Sequence, residues 1–192
     1  MGGEPSLAVD LADTLVTVTD PPTDLIADPD QYQRWWQLQA CRLPVAGKQP
    51  VPELTATRRL RHAIREAFDA HLASTAPLPT SLDDINAVAA AAPTSTRLDL
   101  QGNVLRRSTR WHLEHGGHPS LAAIVNDAIT VLTDNQLRSQ LRRCANPACS
   151  MLFLATNPRR IWCTANICGN RTRAHRHYQQ HHTPKPSPTK HE

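Results

Sequence analysis

Cys144-Ala145-Asn146-Pro147-Ala148-Cys149, then thirteen residues, then Cys163-Thr164-Ala165-Asn166-Ile167-Cys168 is the stretch on which the reading of this chain turns. Each pair, with four residues between its cysteines, can turn two thiolates toward one centre. Two such pairs complete the tetrahedral shell that a structural zinc prefers. Pro147 favours the turn inside the first pair. The connecting loop offers only Phe153 and Trp162 as large groups besides Met151, Leu152, Leu154 and Ile161, too little to fold a small module unaided. Metal binding worth about 10–16 kcal/mol at neutral pH would supply the missing stability. The leading reading is therefore one structural zinc at Cys144, Cys149, Cys163 and Cys168, its closed shell leaving no position for a reactive water. A redox or disulfide role and an iron–sulfur cluster are the alternatives.

Downstream of the second pair, a helix is expected from Asn170 through Arg171, Arg173, Ala174, His175, Arg176, His177 and Tyr178, with Arg159 and Arg160 arriving from the loop. The formal net charge of +4 averages two unlike parts. From Arg138 onward there are ten Lys/Arg against one acid, a net of +9, whereas residues 1–137 hold eleven against sixteen, a net of −5. A solubilising face would account for the arginines. A polyanion partner accounts better for so many beside a metal-stapled helix, with arginine–phosphate contacts giving affinity and base contacts left open.

Upstream, the spacing of apolar residues predicts mostly helices. Leu7 to Val16 reads as a short helix or buried strand, and Asp30 to Leu43 as a helix carrying Tyr32, Trp35, Trp36 and Leu38. Pro52 to Ala73 is a helix whose apolar face is Leu60, Ala63, Ile64, Ala67 and Phe68, with Arg58, Arg59, Arg61, Arg65 and Glu66 on its other faces. Ser81 is expected to cap a helix from Leu82 to Ala92. Thr96 to Leu100 and Val104 to His112 read as a hairpin turning at Gln101-Gly102-Asn103. A helix from Leu121 to Thr133 follows Pro119-Ser120, and Asp134 opens another that ends near Arg143.

Other groupings carry less. Asp10 and Asp13 stand at helical spacing among apolar residues and would suit an acid pair in a ligand pocket, although capping or arginine pairing is the commoner use. His112, His115 and His118 do not converge on one centre at their spacing and read as a polar loop. Cys41 is expected to be a small core residue. No phosphate loop, nucleophile elbow or metalloprotease helix is present, so catalysis is not expected. The chain has no apolar run of about 18 residues and no leader-like start, so a cytoplasmic protein is expected.

Phe153-Leu154, Arg159-Arg160, Trp162-Cys163 and above all Cys168-Gly169-Asn170-Arg171 followed by basic residues resemble the CGNR zinc finger. The upstream part resembles the ABATE domain that accompanies this finger in bacterial stress-induced transcription regulators. That likeness rests on Asp10 with Asp13-Thr14-Leu15, on Trp35-Trp36, on Leu60-Arg61 with Ala63-Ile64-Arg65, and on Leu82-Asp83-Asp84-Ile85-Asn86. The resemblance implies a DNA-binding module with its zinc ligands on the four cysteines. Ala155 stands where such fingers usually carry Asp, and the loop before Trp162 is two residues shorter, so any contact of that Asp is missing here.

The expected fold class is mainly α with a small β-hairpin: a helical N-terminal domain (1–137), a four-cysteine zinc-binding module (138–182) and a disordered tail (183–192). The expected function is a zinc-containing DNA-binding transcription regulator. Its N-terminal domain would take a small-molecule effector or mediate homodimerisation. Phosphate contacts are expected at Arg159, Arg160, Arg171, Arg173 and Arg176. The competing readings are a zinc-stapled module for RNA or an acidic protein, and a small-ligand binder acting through the N-terminal domain.

Overall fold

The computed structural model describes residues 6–43, 49–174 and 178. Its centre is α3 (Leu54–Ala73), whose apolar residues recur at three- and four-residue intervals and bury Leu60, Ile64, Ala67 and Phe68. Against it pack α1 (Leu7–Ala12), α4 (Pro79–Ala91) and α5 (Pro119–Thr133), which share one apolar core with Ile26, Tyr32 and Trp36. The short α1 is buried along nearly its whole length. Its first turn is held by the Ser6 hydroxyl, which accepts from the Val9 N–H, and by Asp127 of α5, whose carboxylate accepts from Ser6 Oγ (2.6 Å) and the Ala8 N–H (2.9 Å).

The polypeptide leaves α1 through the two-residue strands β1 (Leu15–Val16) and β2 (Thr23–Asp24), which pair antiparallel, and enters α2 (Pro29–Gln39). Asp28 caps α2 by accepting from the Asp30 and Gln31 N–H groups, and Pro29 supplies a pre-set φ where no N–H is needed. Tyr32 and Trp36, one turn apart, face inward; the Tyr32 hydroxyl meets the Pro52 carbonyl and the Thr57 hydroxyl at 2.7 Å each.

Helix α4 begins at Pro79 and ends at Ala91, not from Leu82 to Ala92. Pro79 occupies the first helical position, Leu78 is the extended residue before it, and Ser81 is buried inside the first turn with no capping role. Arg61 and Arg65 of α3 do not lie on a solvated face: they are 1% and 4% exposed, because acids from other elements meet them inside. Arg61 grips Asp24 (2.5 and 3.2 Å), whose carboxyl sits below the usual carboxylate range: burial opposes this, but Arg61, the Ile26 N–H and Arg58 outweigh it. Cys41, in the 3-10 turn Ala40–Arg42 after α2, is exposed and not in the core, since that turn follows the last inward residue of the helix.

The hairpin is present, as β3 (Thr94–Gln101) and β4 (Val104–Trp111) in register from Thr94–Trp111 to Gln101–Val104, turning at Gly102 with φ +61°. Helix α5 is capped by His118, whose Nδ1 accepts from the Ser120 N–H while Nε2 donates to the Pro50 carbonyl (2.9 Å). His112 meets Ser95 and Glu114 instead, so this histidine segment is polar structure. After α6 (Asn135–Gln140), capped by Asp134, Leu141–Arg143 is not helical as expected but forms β5, paired antiparallel with β6 (Leu152–Leu154). Leu141, Leu152 and Leu154 belong to the same core as the helices, so the hairpin that carries the first cysteine pair is packed onto the helical body. The expected tail, 183–192, lies outside the described residues. Among the described residues no helix is long and apolar enough to cross a membrane.

Candidate metal centre and its basic flank

Strands β5 and β6 deliver the first cysteine pair. Cys144 follows β5 directly, and its N–H donates to the Met151 carbonyl (2.9 Å), closing a knuckle between the strands. Inside it Asn146 organises the turn: its carbonyl accepts from the Cys149 N–H (2.9 Å) and its side-chain Oδ1 from the Ala148 N–H (3.1 Å). The second pair comes from a wide turn, Ala165–Gly169, in which the Thr164 carbonyl accepts from both the Cys168 and Gly169 N–H groups (3.1 and 3.2 Å). The two knuckles are stitched by the Ala145 N–H to the Ile161 carbonyl (2.9 Å) and the Cys163 N–H to the Cys144 sulfur (3.5 Å).

The result is four sulfurs within 4.8 Å of one another. Cys163 Sγ lies 3.5 Å from Cys168 Sγ and 3.8 Å from Cys149 Sγ, far beyond disulfide length. A tetrahedral thiolate shell with Zn–S of about 2.3 Å places its sulfurs about 3.8 Å apart, so the donor set and spacing fit a zinc ion. Crowding opposes simultaneous ionisation of the bare thiols. Burial pushes Cys149 up to about 11. Cys163 is raised too, by burial and then by its hydrogen bonds to Cys168 and Cys144. At Cys168 burial works in the same direction, but the hydrogen bonds from Cys163 and its neighbours win and lower it. A divalent cation eases the conflict by coordinating all four thiolates and offsetting two of their four negative charges. Among the described residues this is also the only grouping of three or more metal-capable side chains.

The tetrapeptide Cys168-Gly169-Asn170-Arg171 has a local physical account. Cys168 supplies a sulfur. A Cβ on Gly169 would stand 3.2 Å from Trp162 Cδ1, so glycine lets the turn pass under the indole. Residues 170–174 are helical; the Asn170 side chain accepts from Arg173, and the Thr172 hydroxyl donates to the Cys168 carbonyl (3.0 Å). Ala155 is buried, and its N–H donates to the Gln140 carbonyl (2.8 Å).

The expected phosphate-binding arginines divide. Arg159, Arg171 and Arg173 are exposed around the centre. Arg160 is turned inward: its guanidinium lies 4.5 Å over the Phe153 ring and donates to the Trp162 (3.0 Å) and Cys163 carbonyls, bracing the second knuckle. Arg176 lies outside the described residues. A cleft of about 850 Å³ lined by Arg159, Trp162, Asn166 and Ile167 opens beside the second pair. The acid pair of the sequence reading is engaged by arginines: Asp10 by Arg42, and the buried Asp13 by Arg65 (3.4 Å).

Sequence reasoning missed how the body grips the finger. Asp13 accepts from the Leu152 N–H (2.9 and 3.2 Å), and Arg65 donates to the Ser150 carbonyl (2.6 Å). Both contacts fall on the strand side of the first knuckle. Their one sequence signal was Asp13, an acid standing among apolar residues.

A family model described as "Putative stress-induced transcription regulator", the ABATE family, matches residues 6–135, and the CGNR zinc finger matches residues 140–181. The chain belongs to the ABATE family and carries a CGNR zinc finger. Both are regulatory or zinc-finger families and not enzyme families. No curated protein matches the chain.

Proposed function

We propose that the chain is a zinc-stabilised DNA-binding transcription regulator. The reading rests on one observation: four sulfurs at zinc-tetrahedron spacing lie directly beside the exposed Arg159, Arg171 and Arg173. In this reading the ion is structural. It fixes the two knuckles relative to each other and so holds the arginines at the spacing that phosphates require. Arg160 acts through the fold, by its stack on Phe153, and not through phosphate. The acidic helical body is repelled by DNA and therefore faces away from it. The body's grip on Ser150 and Leu152 orients the finger.

The test is a titration of duplex DNA and of single-stranded RNA with the zinc-loaded protein, wild type and Arg159→Gln/Arg171→Gln. Duplex DNA binding that is lost in the variant, with a zinc content equal to wild type, supports the reading. Preference for the RNA would make the finger an RNA module.

A further inference from the structure

The hairpin β3–β4 belongs neither to the apolar core nor to the cysteine cluster. It is a two-stranded ribbon of eight residue pairs that stands out from the helical body with both faces in solvent. The register sorts its side chains cleanly. Arg97 faces Ser108, and Arg106 and Arg110 lie two residues to either side of Ser108, so all three arginines share one face. At about 3.3 Å per residue, this face carries a guanidinium roughly every 6.6 Å over some 13 Å of ribbon.

Asp99 is the one acid on that face. It takes the Ser108 hydroxyl and stands 3.6 Å from Arg97. Among the described residues no partner engages Arg106, Arg107 or Arg110, whereas Arg42, Arg58, Arg59, Arg61 and Arg65 of the body are all paired with acids. The ribbon, residues 94–111, has four arginines against one acid, a net of +3. The rest of residues 1–137 has seven basic groups against fifteen acidic, a net of −8. A basic island on an acidic body, with three of its four arginines unengaged among the described residues, is complementary to a polyanion.

We propose that the β3–β4 ribbon is a second DNA contact, separate from the finger, in which Arg97, Arg106 and Arg110 engage phosphates. The inference rests on the DNA-binding reading above. The dimensions agree: the major groove of duplex DNA, about 12 Å wide, admits a two-stranded ribbon. The opposite face, with Leu98, Leu100 and Leu105 at 64–70% exposure, is not used by this contact.

The experiment is an anisotropy titration of a mixed-sequence duplex with the full-length, zinc-loaded chain, from about 50 to 200 mM salt. Wild type is compared with Arg97→Gln/Arg106→Gln/Arg110→Gln and with Arg159→Gln/Arg171→Gln. Exposed arginines can be replaced without disturbing the core, and equal far-UV dichroism and zinc content verify this. The ribbon variant is expected to flatten the slope of log K against log salt by about 0.9 per lost phosphate contact, close to 2.7 for three. Wild type should then lose about 40-fold more affinity than the variant over that salt range. A ribbon variant with wild-type affinity and slope, alongside a finger variant that loses binding, overturns the ribbon contact alone. Absence of duplex binding by wild type overturns both readings. If the arginine variant binds as wild type does while Leu98→Ser/Leu105→Ser converts a sedimenting dimer to a monomer, the ribbon is a self-association arm and the proposal falls.

Discussion

The carboxylate of Asp13, at the end of α1, accepts the backbone N–H of Leu152 in β6, 139 positions away, at 2.9 and 3.2 Å. Arg65 completes the contact, reaching Asp13 with one nitrogen and the Ser150 carbonyl with another at 2.6 Å. Two helices of the body thereby hold the strand that follows the first cysteine pair. Because all of these groups are buried, removing Arg65 leaves the Ser150 carbonyl without its donor and the Asp13 carboxyl without its basic neighbour. Arg65→Met is expected to lower the stability of the chain by about 1–3 kcal/mol in urea unfolding, the range for leaving a buried polar group unsatisfied. A loss within about 0.5 kcal/mol, as at an ordinary surface position, would show that the contact is dispensable.

Asp13 also gives the chain a pH dependence. Burial raises its carboxyl from 3.8 to about 7, even though the Leu152 N–H and Arg65 pull the other way. Between these values the folded chain keeps a proton that the unfolded chain has released, so stability falls as pH rises through that window. Each site can contribute at most about 1.4 kcal/mol per pH unit. Comparison of urea unfolding at successive pH values should show a shallower decline for Asp13→Asn than for wild type. Parallel profiles would remove Asp13 as the source.

Exposure of Cys41 makes the metal centre countable. If the four clustered cysteines hold the zinc, a thiol reagent should modify one cysteine of the loaded native chain, Cys41. After chelation all five should react. Five reactive thiols in the loaded protein would show that the four sulfurs are not holding the ion.

Two glycines separate steric from conformational cost. A Cβ on Gly117 would fall 2.2 Å from the Ala91 carbonyl carbon and oxygen, so backbone must move. Gly102 has open space but φ +61°. Gly102→Ala should cost about 1–2 kcal/mol, the cost of a left-handed non-glycine residue. Gly117→Ala should cost more, and thermal unfolding of both variants checks the order.

What was legible in the sequence follows from how local each signal is. The four cysteines stand at spacings that carry their own geometry, so Cys144, Cys149, Cys163 and Cys168 could be read directly, and the structure brings their sulfurs together. The apolar periodicity of α3 was equally local. The burial of Arg61 and Arg65 was not, because periodicity assigns charge to solvent, and the acids that admit these arginines, Asp24 and Asp13, lie some fifty or fewer residues upstream on other elements. Leu141–Arg143 read as helix because its strand partner, Leu152–Leu154, lies across the knuckle. Ser81 looked like a cap, but Pro79 two residues earlier already fits the first helical position. The stack of Arg160 on Phe153 was not legible either, because seven positions separate the two and only the folded loop brings them together.

The central claim is that zinc at the four cysteines creates the DNA-binding surface. Its most direct measurement is the affinity of the full-length chain for duplex DNA when zinc-loaded, after metal removal and after zinc is restored, with Cys168→Ser in parallel. The account predicts salt-dependent binding by the loaded chain, about tenfold or greater weakening on metal removal and in Cys168→Ser, and recovery of the wild type alone when zinc returns. Equal affinity in all of these states would contradict it.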